Sequence, residues 1–491
     1  MCIRDRGTVV APSSGGQYIA VNDGFEITGN RETLESAELK DSLGKGAPVS
    51  GSEAPSVSIP FYLRHSGVEG TAPMMDEIYT AAFGAESIED TEYNTVASST
   101  VSVVKLDSGE GANKERGEAL LIKDPVNGYS IRPIASISGD DLTVWPNLSA
   151  APGTGVNVGK AVLYKPADSG HQSLSLWSYH GDSDLTQLVS GCRVTSLDIT
   201  ANAEEPIEVS ATLEGLKLHR NPLTTTSSLK YIDFTDDQGT VAVSVSEKTW
   251  KHPHELAAAV ESAMNAATSE TITCTYSNTT GKFTIASSTS SVLSLLWDSG
   301  SNAANTIGTV LGFSVAADDT GSTSYEGDNA ITLANPQTPS LDSSDFLVAK
   351  NISLAIGRSG EDNGCVGASA FSFSLATPKT NIKSLCAETG ISSSVINERS
   401  STFEVTTIVN KYDVERFRNF SENETVSLLL NFGEKSGGNW VAGKAGCIYA
   451  PNCKLSSSPD IQDLDGSLAI TFSLETFVDA DNNGEIYLNF V

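Results

Sequence analysis

Apolar residues in this chain recur mostly at every second position, the period of half-buried strands. Val57, Ile59, Phe61 and Leu63 alternate with other residues, and Pro60 among them points to a sheet edge or a bulge. Further strands are expected from Leu174 to Tyr179, Arg193 to Thr200 and Ile207 to Leu218. Three more are expected from Val426 to Phe432, Ile448 to Leu455 and Leu468 to Phe477. Helical spacing is confined to short stretches. Met74, Ile78 and Ala81 follow Pro73, which suits a first turn, and Gly84 stops the run. A weaker counterpart runs from Tyr412 to Phe420. A longer helix is expected from Pro253 to Ala267, with Leu256, Val260, Ala263 and Met264 on one face.

The chain resembles itself in two places. One offset, 346 residues, pairs Phe25 with Phe371, Ile27 with Phe373, Leu39 with Leu385, Gly44 with Gly390 and Val57 with Phe403. A second, 261 residues, pairs Cys192-Arg-Val-Thr-Ser196 with Cys453-Lys-Leu-Ser-Ser457, Val209 with Ile470, and Leu213 with Leu474. The offsets differ by 85 (346 minus 261), so the first copy carries extra residues, placed at about 86 to 170. Two gapless matches in one order indicate a duplicated lobe.

The extra stretch reads as a small all-β unit. Its strands are Glu118 to Ile122, Tyr129 to Ile131, Leu142 to Trp145 and Lys160 to Tyr164, with Asn127-Gly128 as a hairpin turn. Residues 225 to 335 read as a mixed unit. Strands from Leu229 to Phe234 and Val241 to Ser246 precede the long helix. A hairpin at Cys274 to Tyr276 and Lys282 to Ile285 follows it, with apolar anchors at Leu293 to Trp297 and Ile307 to Phe313. Pro336 and Pro339 mark an exit linker. The expected fold is therefore mainly β: two β-sandwich or half-barrel lobes, each with a short helix, an all-β insertion and an α/β insertion. The expected division is 7–85 and 171–224 for the first lobe, 86–170 and 225–338 for the insertions, and 339–491 for the second lobe. Residues 1–6 read as translated adapter sequence and are set aside.

Composition narrows the function. The 491 residues carry 61 acidic and 31 basic side chains, a net charge of −30. That balance opposes a nucleic-acid grip, which needs a basic stripe to displace phosphate counterions. Solubility is its simpler meaning; a surface that nucleic acid passes without sticking is the sharper one. No run approaches the roughly 20 apolar residues needed to cross a bilayer, and no secretory h-region is visible. The seven cysteines are scattered without a Cys-x-x-Cys pair, and read as buried thiols of a protein made in a reducing cytoplasm.

Three places carry residues of chemical interest. Asp479, Asp481, Asn483, Gly484 and Ile486 match the front half of a calcium loop, but the twelfth position, which needs a bidentate Glu, is Phe490. A polar turn is the simpler reading. His252 and His254 lack a third ligand at suitable spacing and suit a helix start. Gly153, Gly155, Gly159 and Lys160 miss the phosphate-loop spacing, and Ala161 stands where a hydroxyl would hold magnesium. No catalytic, cofactor-binding or metal site is assigned, and an enzyme is the least favoured class.

Thr8 to Ala85, His171 to Arg220 and Phe346 to Val491 resemble the tail tube proteins of long-tailed bacteriophages (siphophages), especially those with a doubled tube domain. The resemblance rests on Gly70-Thr-Ala-Pro73, on Val189-Ser-Gly-Cys-Arg-Val194 followed by Ile207 to Gly215, and on Ala450-Pro-Asn-Cys-Lys-Leu455. The segment from His254 to Phe313 is similar to a module of phage structural proteins, and Ile137 to Pro152 resembles a phage β-module. This resemblance implies a virion protein, assembled in the bacterial cytoplasm, whose sheets join edge to edge into stacked rings. The tube would carry the tape measure protein and then DNA, touching DNA only in transit. It would meet a tail terminator and a baseplate hub at its ends, and no membrane span is implied. Two lobes per chain favour a pseudo-hexameric trimer over a hexamer. The rivals are another virion structural protein (baseplate, decoration or capsid-associated) and a β-sandwich surface adhesin.

Overall fold

The computed structural model describes residues 2–3, 17–35, 47–180, 185–331, 345–357, 368–386, 390–408, 424–457, 460–464, 466–479 and 485–491. The expected helix at Tyr412 to Phe420, the linker prolines Pro336 and Pro339, Leu39, Gly44, Cys365 and most of the Asp479 turn lie outside these residues. The protein is mainly β. It divides into two compact units, one of residues 1–174, 191–216 and 339–491, the other of residues 175–190 and 217–338.

The larger unit is organised by eight strands. They are β1 (Glu26–Thr28), β2 (Ser56–Tyr62), β3 (Leu185–Asn202, from Gly191 onward in this unit), β4 (Glu208–Glu214), β5 (Ala368–Ala376), β6 (Ser400–Ile408), β7 (Asp460–Leu464) and β8 (Ser467–Thr476). All neighbours are antiparallel, in the spatial order β1-β2-β4-β3-β5-β6-β8-β7. The alternation seen in the sequence is real: Val57, Ile59 and Phe61 are buried and their neighbours in β2 are less so. Each such side chain contributes about 1.5–3 kcal/mol when fully buried. Pro60 accepts a bond from the Asn22 N–H through its carbonyl, on the side where β1 has already ended at Ser58. Its missing N–H is thus no loss, as an edge position allows.

A second layer is formed by strands Gly84–Glu89, Ala161–Pro166, Tyr487–Phe490, Asn439–Leu455, Val426–Ser436 and Ser353–Gly357, adjacent in that order. The helix α1 (Asp76–Phe83) begins three residues after Pro73, because Pro73 to Met75 form a turn whose carbonyls accept from the first helical N–H groups. Gly84 ends it in the left-handed conformation (φ 104°), as the sequence suggested. Tyr79 of α1 meets Phe61 of β2 edge-on at 6.4 Å and Phe490 at 5.9 Å, so the helix bridges the eight-strand ladder and the second layer.

The small β insertion is a six-stranded sheet around Val104, Leu120, Ile122, Ile134, Leu142 and Val158. Its Asp124–Gly128 turn is held by the Asp124 carboxylate, which accepts from Val126 N, Asn127 N and the Asn127 amide. Its other face packs on the second layer through Leu121, Ile131, Trp145, Leu163 and Tyr449. Asn489, fully buried, joins them: its Oδ1 accepts from Ala119 N at 2.9 Å and its amide donates to the Gly117 carbonyl at 3.0 Å.

The smaller unit holds the mixed insertion. Sheets of four and three strands enclose α2 (Pro253–Asn265), whose Leu256, Val260 and Met264 enter a core with Trp250, Phe283, Trp297 and Phe313.

Some expectations change. The run from Ile207 to Leu218 is two strands, β4 and Lys217–Arg220, parted at Gly215. Cys386 is exposed, against the expectation of buried thiols, because it lies in the turn region of a hairpin; Cys192, Cys274, Cys447 and Cys453 are buried. Burial pushes the Cys274 thiol up to about 12.

Candidate assembly edges and the polar face

The duplication is carried by hydrogen-bond register. Ile27 opposite Val57 becomes, 346 residues on, Phe373 opposite Phe403. Val57 opposite Leu213 becomes Phe403 opposite Leu474, and Val194 opposite Leu213 becomes Leu455 opposite Leu474. No rung slips. After Val194 the strand bulges before pairing resumes at Ser196, and the rung Ile199–Val209 of β3 and β4 corresponds to Ile461–Ile470 of β7 and β8. Val194 and Leu455 differ by 261 positions and Ile199 and Ile461 by 262, so the second copy has one residue more between these rungs. Each lobe is thus a four-strand ladder.

The lobes meet edge to edge. The last strand of the first ladder, β3, pairs with the first strand of the second, β5, from Ser196 opposite Ala376 to Asn202 opposite Ala370. Ile199 faces Phe373 there, and both are buried. Thr377 extends the seam, its N–H donating to the Thr195 carbonyl and its hydroxyl to the Val194 carbonyl. Lys379 adds a bond to the Glu214 carbonyl at 3.1 Å, and burial holds its ammonium below the usual range.

Among the described residues the two outer strands of the eight have a partner on one side only: β1 pairs with β2, and β7 with β8. Glu26 and Thr28 are exposed on β1; Ile461 and Asp463 are exposed on β7. Exposed backbone edges of this kind are sites of further pairing unless they are blunted.

The face of the ladder turned from the core carries hydroxyls and carboxylates. It presents Asp198, Thr200, Glu208 and Ser210 in the first lobe, and Thr402, Glu404, Thr406 and Ser473 in the second. A shallow groove here also includes Asp23. Within the described ladder strands the one cation is Arg193, opposite Glu214 next to the bulge; Lys454, opposite Glu475, lies at the end of the adjoining strand Asn439–Leu455.

Each ladder also extends a hairpin between its first two strands. In the first arm Leu34 opposes Val49; in the second Thr380 opposes Val395, the same pair moved by 346 residues. Val49 and Val395 are both exposed. A Cβ on Gly390 of the second arm would lie 3.8 Å from Ser52 of the first, so the arms stand side by side. The arms have no counterpart among the strands expected from the sequence, although Val49 and Val395 match at the common offset of 346.

The residues singled out for chemistry have other roles. His252 caps α2, its Nδ1 accepting from Glu255 N at 3.1 Å, and His254 packs edge-on against Tyr276. Lys160 N donates to the Glu69 carboxylate at 2.9 Å, so an acid sits where a phosphate loop would need an anion's place free. Asp479 receives the Arg116 guanidinium at 2.5 Å, and Phe490 is buried in a strand. No helix among the described residues is long and apolar enough to cross a membrane. No protein-family model matches this chain, and a search of curated proteins finds no match.

Proposed function

We propose that copies of this chain close into rings that stack into the tube of a long phage tail, the channel for the tape measure protein and then for DNA. The observation that carries this reading is the repeated four-strand ladder with an internal edge-to-edge seam and two outer edges that are unpaired among the described residues. A head-to-tail contact that repeats by rotation closes a ring, and a ring leaves no free edge. With two lobes per chain, three chains supply six lobes, and a trimer is favoured over a hexamer.

The polar face suits a channel wall. Carboxylates at Asp198, Glu208 and Glu404 repel phosphate within a Debye length of about 8 Å at physiological salt, so DNA slides without being held. The hydroxyls between them keep the wall hydrated. No reaction is needed for this role. The chain would be made in the bacterial cytoplasm, end up in the virion tail, and meet a tail terminator and a baseplate hub at the tube ends.

Negative-stain imaging of the purified protein tests the reading. Hollow tubes built of rings with three-fold symmetry and six lobes are expected. A protein that remains single, or forms only closed shells or flat lattices, overturns it.

A further inference from the structure

We infer that β7 of one copy pairs antiparallel with β1 of the next, with Ile461 directly opposite Ile27 and Asp463 opposite Phe25. The inference rests on the assembly reading above and adds the strands and the register.

The internal seam supplies the template. Ile199 faces Phe373 across β3 and β5, and Ala201 faces Phe371. Ile461 holds the place of Ile199, because each stands opposite the matching rung of the next strand, Ile470 and Val209. Ile27 holds the place of Phe373, because each opposes the matching rung of its own partner, Val57 and Phe403. Transferring the seam to the open edges therefore fixes a single register, and a slip by one residue would turn Ile461 to the polar face. Burial agrees: Ile199 is 1% exposed, whereas Ile461 is 67% exposed and Ile27 half-buried. The occupant is a second copy of this chain, since its own β1 carries the side-chain pattern that β5 offers to β3. One internal link is not repeated. Thr33 and Glu475 stand where Lys379 and Glu214 meet, so the outer seam lacks that lysine.

Mixed disulfide trapping tests this. Two versions of the full chain are made with Cys2, Cys365 and Cys386 replaced by serine, one carrying Ile27→Cys and the other Ile461→Cys. After co-assembly and mild oxidation, about ten-fold more covalent dimer is expected in the mixture than in either version alone, because only opposed positions come within disulfide reach. A double variant should give a ladder of covalent oligomers ending at the ring size. Pairing Ile27→Cys with Asp463→Cys should give little product. Dimers from Ile461→Cys alone would mean like edges meet, and would overturn the inference. Rings without the mixed disulfide would overturn the seam and leave the tube reading standing. Absence of rings from the unmodified chain would overturn both. As a second measurement, Ile461→Lys should abolish assembly while the melting temperature of the single copy is unchanged; assembly by that variant would also overturn the seam.

Discussion

Ile199 and Ile461 stand on the same rung of a repeated ladder, yet one is 1% exposed and the other 67%. Both are isoleucines and each opposes a buried β-branched residue, Val209 or Ile470, so the difference lies in the second neighbour. Ile199 has Phe373 across the seam. The strand of Ile461 has no second neighbour among the described residues.

The two isoleucines should therefore respond differently to truncation in the unassembled protein. Ile199→Ala is expected to cost about 2–5 kcal/mol, the range for emptying a packed core site. Ile461→Ala should stay within about 0.5 kcal/mol. Urea unfolding of both variants measures this, and equal losses would contradict the burial difference.

Glu86 should make stability depend on pH. Burial, and then the neighbouring Asp76 carboxylate, push its carboxyl up from 4.5 to about 7. The folded chain thus holds the proton to higher pH than the unfolded chain. This contribution is fully present below about pH 4.5 and is lost as pH rises through about 7. Thermal melts between pH 5 and 8 should fall more steeply for the unmodified protein than for Glu86→Gln. Parallel curves would dismiss the effect.

Asn489 should tie the C-terminal strand to the β insertion. Asn489→Leu leaves the Ala119 N–H and the Gly117 carbonyl buried without their partner. Each orphan costs about 1–3 kcal/mol. The expected signature is a lower unfolding midpoint together with faster amide exchange at Ala119.

The polar face gives a prediction about passage. Replacing Asp198, Glu208 and Glu404 by lysine changes exposed or half-exposed positions and should leave the fold intact. On the tube reading, the variant tubes should retain DNA at low salt and release it as salt rises, because cations now meet phosphates. Equal DNA retention by the two tubes would count against this face lining the channel.

Much of the ladder was legible because period-two alternation needs only local sequence. Val57, Ile59 and Phe61 announce their strand, and the offset to Phe403 and Val405 announces its copy. The cap at Gly84 was legible for a similar reason: it is a local backbone requirement. Strand edges are different. Nothing within β3 or β5 states that Ile199 will face Phe373, since that contact joins residues far apart in the chain and depends on both lobes being folded. The arms were missed because Leu34, Val49 and Val395 are exposed, and exposed strands show no burial alternation to read. The candidate edges therefore came from the structure, while the repeat that gives them meaning came from the sequence.

The strand Tyr487–Phe490 lies between Ala161–Pro166 and Asn439–Leu455, with Phe490 opposite Val162. A ribosome adds about 5–20 residues per second, so Val162 waits tens of seconds for a partner that lies far along the chain. Until then the second layer is split at its middle. Completion of this layer thus depends on a segment made long after Val162, and a chain without it leaves the Ala161–Pro166 strand paired on one side alone.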